Sequence, residues 1–534
     1  MWENNKGKNK RKSMDAVVCG YFENNNKNSA NKIIIFDADI KITNAQFKIY
    51  VDNLAQYLHN NNIKHGDRVA IVMSNSWKFI INLFAISKLG AIAVPINNFL
   101  KAEELRYILN DSGAKILFAS NKFASEVVGL LHDTALEKII WCEGAPFTDA
   151  KNISYDDLEL EKNNGLDKIH GVFPSNLNDI LFILYTSGTT GKPKGAILSY
   201  KNILSNCDSA KVLMQQKDGK FKMLAYLPMF HAFTLTVTVI LPIYTNSAVI
   251  VIRSIGTKKD FKYLLKQLLL HRCRYFTGVP DVYSAMAKAN LPWYFHWFHN
   301  VRGFISGAAA LSDEVARKFA SSFKKGKLLQ GYGITECSPV VSCNSLDNNK
   351  FGSVGKPLHA YKVKIVDENL TEMPTKEIGE ICVYGDCIMQ GYYNKPQDTK
   401  EVIFDGGWFR TGDLGYLDED GFIFIVDRKK DIIIHKGMNI YPREIEEVLY
   451  TLDKIKACAV IGVKDAEGIE SPVAYIELNE NQTLTEREVK EYLKSKLAIF
   501  KQPRRIIFIA ELPRNATKKI LKRELRDLHA KNYQ

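Results

Sequence analysis

The sequence predicts an α/β protein with a large, multi-layered N-terminal domain of parallel sheets flanked by helices, and a small α+β C-terminal domain joined to it by a hinge. Three observations support this fold class. The chain has 534 residues, which is more than one hydrophobic core usually organises. Short β-branched runs alternate with longer amphipathic ones up to about residue 430. After residues 427–431 (DRKKD) the pattern changes to a compact mixture of strands and helices.

The alternating part contains a recognisable β-α-β unit. Residues 68–74 (RVAIVMS) predict a strand, residues 77–90 (WKFIINLFAISKLG) a helix closed by glycine, and residues 91–96 (AIAVPI) the next strand. Such a connection implies parallel pairing with helices on the faces of the sheet. Residues 179–188 (DILFILYTSG) form a nearly continuous apolar run that leads into a Gly/Thr/Ser loop, which is typical of a central strand feeding a ligand-binding turn.

The C-terminal part has the size of an independent domain, about a hundred residues. Its predicted elements are the strand IIIH, the turn KGMN, the helix PREIEEVLYTL, the strands ACAVIGV and PVAYIEL, the helix TEREVKEYLKSKL, and a Lys/Arg-rich end. We therefore predict a basic disordered tail over residues 1–14, a large N-terminal domain over residues 15–429, and a small C-terminal domain over residues 430–534.

Composition and cysteine usage indicate a globular enzyme of a reducing compartment. With 46% hydrophobic and 25% charged residues, the chain can bury a substantial interior. None of the nine cysteines forms a CxxC pair with metal-ligand spacing, which favours the cytoplasm. The basic, polar start (MWENNKGKNKRK) has no apolar stretch behind it, so we expect no signal peptide.

The net charge of +13 invites a nucleic-acid interpretation, but its distribution argues against one. Residues 1–12 hold five Lys/Arg and one acid, and residues 501–534 hold ten Lys/Arg and three acids. Positive charge concentrated at the two ends suits local phosphate contacts or solvated tails better than a stripe that tracks a duplex. We therefore predict no nucleic-acid partner.

One stretch is long enough to span a bilayer, because residues 223–252 contain no charged side chain. Pro228, His231 and Pro242 interrupt it, and its apolar sub-runs favour a buried helix followed by a buried strand. We predict no transmembrane helix.

The strongest chemical signal is the loop at residues 185–195 (YTSGTTGKPKG). Glycines let backbone amides approach a polyphosphate, hydroxyls donate further hydrogen bonds, and lysines supply cationic charge. The loop is not a Walker A motif, since no GxxxxGK[ST] is present. The predicted phosphate-binding residues are Thr186, Ser187, Gly188, Thr189, Thr190, Gly191 and Lys194.

With this loop the chain resembles the AMP-forming acyl-adenylate ligases, a superfamily that includes acyl-CoA synthetases, adenylation domains of peptide synthetases, and luciferases. Further matching strings follow in the expected order over nearly the whole chain. They are LPMFHAF (227–233), ISGAAAL (305–311), GYGITECSPVVS (331–342), GWFRTGDLG (407–415), DRKKDIIIHKGMNIYPREIE (427–446) and LPRNATKKILKREL (512–525). The strings are most similar to those of long- or medium-chain fatty acid–CoA ligases.

The resemblance implies an adenosine site and a magnesium site. Thr335 would bond the α-phosphate, and the Glu336 carboxylate would hold Mg²⁺, which prefers oxygen ligands. Asp413 would accept hydrogen bonds from the ribose hydroxyls. The implied nucleotide-binding set beyond the loop is Gly331, Tyr332, Gly333, Thr335, Asp413, Arg428 and Lys519.

The resemblance also implies catalytic and moving parts. Lys519 would neutralise developing charge between the carboxylate and the α-phosphate, acting with Thr335 and His231. Lys518 stands where the superfamily commonly has glycine, so which lysine acts is open, and Lys519 is favoured because it directly precedes Ile520. Lys430 matches the hinge.

After a domain rotation, Lys436 and Gly437 would approach the thiol of coenzyme A. A plain turn glycine is the alternative for Gly437.

The acyl pocket is predicted from two of the strings. His231 matches a residue that gates the carboxylate, although a lone histidine in an apolar segment is otherwise a core residue. Small side chains would leave space for a bulky or long acyl group. The predicted pocket residues are His231, Gly307, Ala308 and Ala309.

The resulting hypothesis is that ATP and Mg²⁺ activate a fatty acid to acyl-AMP with release of pyrophosphate, and that the acyl group passes to coenzyme A. Three alternatives remain: transfer to the phosphopantetheine of an acyl carrier protein, a non-catalytic basic protein that binds nucleic acid or a membrane surface, and a light-emitting oxygenase. We expect a cytoplasmic monomer or homodimer, with peripheral contact at the inner face of the membrane left open.

Overall fold

A computed structural model describes residues 29–161, 176–186, 192–253, 255–289, 291–307, 309, 311–465, 467–514 and 519–533. The predicted tail, most of the phosphate loop (Ser187, Gly188, Thr189, Thr190 and Gly191), Ala308 and Lys518 lie outside these residues. The described part is a mixed α/β structure with a large N-terminal and a small C-terminal domain, as the sequence predicts.

The largest sheet of the N-terminal domain has eight strands. The predicted β-α-β unit is confirmed, because strands Arg68–Val72 and Ile92–Pro95 pair in parallel and are connected by the helix Trp77–Lys88. Ser76 caps this helix by accepting a hydrogen bond from the Phe79 amide. In order across the sheet the strands are Gly391–Tyr392, Lys194–Ser199, Ile180–Thr186, Ile92–Pro95, Arg68–Val72, Ile116–Ala119, Lys138–Trp141 and Asn152–Ser154.

The predicted central strand, Ile180–Thr186, pairs in parallel with Ile92–Pro95 and antiparallel with Lys194–Ser199. The phosphate loop therefore connects the two strands of a hairpin. The antiparallel return departs from an all-parallel sheet, and it follows from the short connection, which has no room for a crossover helix.

The N-terminal domain contains two further sheets of four and five strands, and the five-stranded one contributes residues to the cleft described below. A four-stranded sheet has the order Lys222–Ala225, Ala248–Val251, Ile33–Asp37, Ile40–Thr43. A five-stranded sheet has the order Tyr275–Gly278, Gly303–Ser306, Lys327–Gly333, Val340–Cys343, Lys356–Pro357. The remaining N-terminal sheet contains Tyr361–Val366, Gly379–Gly385, Trp408–Leu417 and Ile403–Phe404, with Ile423–Arg428 paired to Trp408–Leu417.

The uncharged stretch 223–252 folds as strand Lys222–Ala225, π-helical turns Thr234–Ile240, helix Leu241–Tyr244 and strand Ala248–Val251. The buried helix and following strand were predicted, whereas the strand that begins the stretch was not. Across the described residues, no helix has both the length and the apolar character needed to cross a membrane.

The C-terminal domain confirms the predicted elements. The hairpin Ile433–His435 and Met438–Ile440 turns at Lys436 and Gly437, whose φ angles of 49° and 82° suit a tight turn. Strands Ile455–Lys464, Glu470–Leu478 and Arg505–Phe508 form one sheet. Its helices are Pro442–Tyr450, Glu486–Lys494 and Lys522–Tyr533, the last of which lies in the Lys/Arg-rich end.

The described N-terminal domain has helices on the faces and edges of its sheets. Its α-helices are Asn44–Asn60, Trp77–Lys88, Ala102–Ser112, Ala124–Val127, Leu130–Asp133, Tyr200–Leu213, Leu241–Tyr244, Lys258–His271, Pro280–Lys288, Trp293–Phe298, Asp313–Ser322 and Pro396–Val402. Short 3-10 turns are found at Thr335–Cys337 and at Lys429–Asp431, the segment of the predicted hinge. The cysteines of the described residues are buried free thiols.

Candidate active site

A cleft of about 2810 Å³ lies where the C-terminal domain meets the ends of the N-terminal strands. It brings together residues from all seven sequence strings, the phosphate loop included, and from both domains. The predicted residues that line it are Thr186, Lys194, His231, Gly307, Ala309, Gly331, Tyr332, Gly333, Thr335, Glu336, Asp413, Arg428, Lys430 and Lys519. Residues separated by more than 300 positions in the sequence thus share one site.

The two lysines in the described part of the phosphate loop both line the cleft but have different surroundings. Lys194 is buried, its ammonium pairs with the Asp398 carboxylate, and it lies 5.5 Å from the centre of the Tyr392 ring. Lys192 is exposed at the edge of the cleft, 5.7 Å from the centre of the Tyr107 ring. Lys192 is therefore the lysine of this loop that is better placed to meet a phosphate. Residue pattern alone did not separate the two.

Glu336 presents a carboxylate beside the start of the phosphate loop. Its Oε1 accepts hydrogen bonds from Thr186 Oγ1 (3.3 Å) and from the Tyr392 hydroxyl (3.0 Å). The described residues contain no cluster of three or more His, Cys, Asp or Glu side chains that could hold a metal ion. One carboxylate with a neighbouring hydroxyl fits Mg²⁺ that arrives with a nucleotide, because Mg²⁺ keeps several waters and takes substrate phosphates as ligands.

Tyr332, Asp413 and Arg428 form a connected group on the nucleotide side. The Tyr332 hydroxyl donates to Asp413 Oδ2 at 2.6 Å, and Arg428 Nε lies 3.4 Å from Asp413 Oδ1. Asp413 and Arg428 are opposite each other on the paired strands Trp408–Leu417 and Ile423–Arg428. Burial and the Asp413 charge raise the pKa of Tyr332 well above its usual range, so Tyr332 remains a hydrogen-bond donor.

Gly333 ends the strand that carries Tyr332, and the space around it admits only glycine. A Cβ at this position would lie 1.8 Å from the Pro339 carbonyl oxygen, a backbone atom that cannot rotate away. We predict that Gly333→Ala lowers the free energy of unfolding by about 1–3 kcal/mol and weakens nucleotide binding, because the loop must shift. Chemical denaturation and nucleotide titration measure the two effects.

The control for this prediction is Gly307→Ala, since a Cβ there would meet no atom within 4 Å. Unchanged stability in Gly333→Ala would show that the loop relaxes without cost.

The charge of Lys519 acts on His231 across the cleft. Burial and the Arg428 guanidinium lower the pKa of Lys519 to about 7, although Asp413 acts in the opposite direction. Burial and the Lys519 charge lower the pKa of His231 to about 4. The Phe233 amide donates to His231 Nδ1 at 3.4 Å, as expected for a neutral imidazole with its proton on Nε2. The lysine predicted to be catalytic thus lines the same cleft as the predicted pocket residue, within range of its charge.

The lowered pKa of Lys519 gives a pH prediction. A lysine with a pKa of about 7 is cationic below that pH and neutral above it. If the cation is the active form, kcat/KM for adenylate formation falls as the pH rises through about 7. Bound phosphates favour the cation, so kcat should hold to a higher pH than kcat/KM. Pyrophosphate release measured between about pH 6 and pH 9 tests this, since kcat/KM reports the free enzyme.

Lys519→Arg is the matched variant, because arginine stays charged across this range. The kcat/KM that remains in Lys519→Arg should not fall as the pH rises through about 7. The assignment is wrong if the fall persists in this variant.

The small residues predicted for the acyl pocket lie at the end of strand Gly303–Ser306. Gly307 has open space around the position of a Cβ, and Ala309 lines the same cleft. Ser306 was missed by the sequence analysis. Its side chain is buried, its residue lines the cleft, and its Oγ has no hydrogen-bond partner among the described residues. The string ISGAAAL contains this serine, but a serine at a strand end gives no distinguishing signal.

The residues assigned to the second half of the reaction are not all in the cleft. Lys430 lines it, within the 3-10 turn where the predicted hinge lies. The neighbouring Asp431 forms an ion pair with Arg526, with Arg526 Nη2 2.7 Å from Asp431 Oδ1. This ion pair connects the turn to the last helix. Lys436 and Gly437 are exposed on their hairpin turn and do not line the cleft. Their role in thiol binding and the hinge role of Lys430 remain predictions.

Comparison with known proteins decides the family. Residues 22–393 match the AMP-binding enzyme family, and residues 444–519 match the AMP-binding enzyme C-terminal domain. The chain belongs to the AMP-binding enzyme family. It is an AMP-forming acid–thiol ligase that uses ATP and proceeds through an acyl adenylate.

Relatives of this ligase align over most of its length. It is 33% identical over 506 residues to the long-chain-fatty-acid–CoA ligase of Bacillus subtilis, which covers 90% of this chain and 89% of that protein. It is 30% identical over 500 residues to 4-coumarate-CoA ligase 1 of Narcissus pseudonarcissus, covering 91% and 88%. These two relatives differ in the acid that their names specify.

Solved structures show the same fold. An anthranilate CoA ligase in complex with anthranoyl-AMP superposes with a TM-score of 0.85, at 25% identity and over 96% of both chains. The o-succinylbenzoate coenzyme A synthetase of Bacillus subtilis, in complex with ATP and magnesium ion, superposes with a TM-score of 0.80, at 25% identity and over 95% and 99% of the two chains. The fold class predicted from the sequence is confirmed.

Proposed function

We propose that this ligase activates a long- or medium-chain fatty acid to its acyl adenylate, releases pyrophosphate, and transfers the acyl group to coenzyme A. The observation that supports it most is that Lys519 lines one cleft with Asp413, Arg428 and His231, close enough for charge interactions among them to shift the pKa of both Lys519 and His231. This juxtaposition joins a nucleotide subsite to an apolar one. The long-chain-fatty-acid–CoA ligases among the relatives support the choice of acid.

Adenylate formation requires a carboxylate oxygen to attack the α-phosphorus in line with the departing pyrophosphate. The protein contributes positioning and charge stabilisation rather than a general base. Asp413 would orient the ribose, and the Lys519 ammonium would neutralise the charge that develops between the carboxylate and the α-phosphate. Mg²⁺ held at Glu336 would supply Lewis-acid charge to the phosphate oxygens.

The apolar side of the cleft fits a hydrocarbon chain. Its lining beyond His231 is dominated by uncharged side chains, namely Phe230, Ala232, Phe233, Ile305, Leu311, Ile334, Pro339 and Val340. Neutral His231 suits an acid whose tail must be desolvated, because a charged imidazole would itself carry a desolvation cost.

Pyrophosphate release with ATP, Mg²⁺ and a series of straight-chain acids from acetate to stearate tests the substrate. Turnover should rise with chain length, and absence of turnover with every fatty acid would contradict the proposal. The acceptor is tested by mass spectrometry with coenzyme A and with a phosphopantetheinylated acyl carrier protein. Acylation of the carrier protein alone would replace coenzyme A as the acceptor.

Gly307 gives a prediction about chain length. The open space at its Cβ position would be filled in Gly307→Val, so kcat/KM for stearate should fall about tenfold or more while that for acetate changes little. Gly129→Val is the matched control, because a Cβ there also meets nothing within 4 Å and Gly129 is not among the residues lining the cleft. Equal losses for both acids would mean that the valine disturbs the nucleotide side instead.

A further inference from the structure

One short helix, Trp293–Phe298, exposes an unusual amount of aromatic surface. Trp293, Trp297 and Phe298 are 71%, 73% and 66% exposed, and Tyr294 is 47% exposed. We call Trp293–Phe298 the aromatic helix. Scattered single apolar side chains on a surface need no explanation, but four large ones on six residues form a patch of the kind that marks an interaction site.

The aromatic helix is firmly attached to the protein. Its Phe295 is 2% exposed and contacts Phe323, with ring centres 6.4 Å apart. Lys325 Nζ donates to the carbonyl oxygens of Trp297 and His299, both at 2.9 Å, and so binds the carboxyl end of the helix. The exposed rings are therefore presented by a fixed element on the side opposite to its buried anchor.

The surroundings of the aromatic helix are basic. Residues 282–335 hold seven Lys/Arg and two acids, Asp313 and Glu314, and the cations include Lys324, Lys325 and Lys327. Glu314 pairs with Lys318 of its own helix at 3.0 Å. Arg302 and Lys324 are both exposed and lie near the aromatic helix in the sequence. Lys324 directly follows Phe323, whose ring centre is 5.4 Å from that of His296 in the helix. Exposed cations beside exposed aromatic rings are complementary to a partner that has an anionic surface and an apolar layer beneath that surface.

We propose that the aromatic helix docks this protein on the surface of an anionic lipid bilayer. Trp and Tyr rings prefer the headgroup level of a membrane, where an apolar body and a polar edge are both satisfied. Lys324, Arg302 and their basic neighbours would meet anionic headgroups, whose attraction decays within a Debye length. The contact is peripheral, and it does not depend on the proposed enzymatic activity.

Flotation with lipid vesicles tests the docking surface. The full-length protein is mixed with vesicles of phosphatidylcholine alone or of equal parts phosphatidylcholine and phosphatidylglycerol, at low and high salt. The wild type should float with the anionic vesicles, more at low salt. The triple variant Trp293→Ser, Trp297→Ser, Phe298→Ser should bind the anionic vesicles at least about tenfold more weakly, because the apolar contact is removed.

Two controls keep the result interpretable. Val212→Ser with Ile499→Ser removes apolar side chains that are 65% and 88% exposed elsewhere, and should float like the wild type. The charge-reversal variant Lys324→Glu with Arg302→Glu leaves the aromatic rings in place. It should bind the anionic vesicles more weakly than the wild type does, and its binding to phosphatidylcholine vesicles should be unchanged.

Thermal melting and pyrophosphate release with a short soluble acid show whether each variant is folded and active. A wild type that does not float, or a triple variant that floats equally well, overturns the proposal. Self-association of the wild type that the triple variant loses, without vesicle binding, would assign the surface to a second copy of the chain and also overturn it.

Discussion

Replacing Lys519 with alanine is expected to slow formation of the acyl adenylate by about 10²–10³-fold, the usual loss when one preorganised donor to a developing negative charge is removed. Lys519 lies where its charge acts on His231, Arg428 and Asp413 together. Its lowered pKa reflects a partly desolvated ammonium, and a charge held in such surroundings acts more strongly than one in water. Losing it should therefore affect kcat far more than the affinity for ATP.

The two half-reactions can be measured separately. Adenylate formation is followed by single-turnover release of pyrophosphate, and adenylate use by adding chemically prepared acyl adenylate and coenzyme A. Lys519→Ala should retain most of the second activity, because the thiol attacks an acyl carbon that is already activated. Lys518→Ala is the matched control and should retain both. Equal losses in both half-reactions, or the larger loss in Lys518→Ala, would show that the assignment is wrong.

The elements around the site were predictable where local pattern determines them. The segments 68–96 and 433–494 have apolar periodicity and lengths that fit one type of element, so strands and helices were expected at nearly the observed positions. The hairpin turn at Lys436 and Gly437 was also expected, because a glycine in a four-residue polar turn marks a change of direction. The strand Arg505–Phe508 was not separated from the basic end, since its short apolar run directly follows two arginines.

Contacts between distant parts of the chain could not be predicted from local pattern. The ion pair between Lys194 and Asp398 joins residues far apart in sequence, and it gives a protein partner to a lysine that the sequence analysis assigns to ATP binding. The influence of Lys519 on His231 likewise depends on how the two domains meet. The residue types in the motifs were enough to locate the site. Which charged side chains have a partner within the protein, and which act on the cleft, is determined by the tertiary structure.

Asp413→Asn is expected to raise KM for ATP by about one to two orders of magnitude. A carboxylate can accept hydrogen bonds from two ribose hydroxyls while it also accepts one from the Tyr332 hydroxyl and pairs with Arg428. The asparagine amide has only one acceptor oxygen, and its NH₂ group is a donor that cannot pair with the Arg428 guanidinium. Hydrogen bonds to a charged group contribute about 1.5–3 kcal/mol each, and loss of one accounts for an effect of this size. Initial-rate measurements over a range of ATP concentrations give KM directly.

Asp418→Asn separates nucleotide binding from the stability of the strands. Asp418 is also buried, pairs with Lys350, and accepts hydrogen bonds from the Phe422 and Asp420 amides, but it is not among the residues lining the cleft. Its loss should lower the melting temperature and leave KM for ATP unchanged. If both variants raised KM equally, the effect of Asp413 would come from the geometry of the paired strands. A rise confined to Asp413→Asn requires direct contact with the nucleotide, because Asp418 directly follows the strand Trp408–Leu417 that carries Asp413, and the two carboxylates differ in what they face.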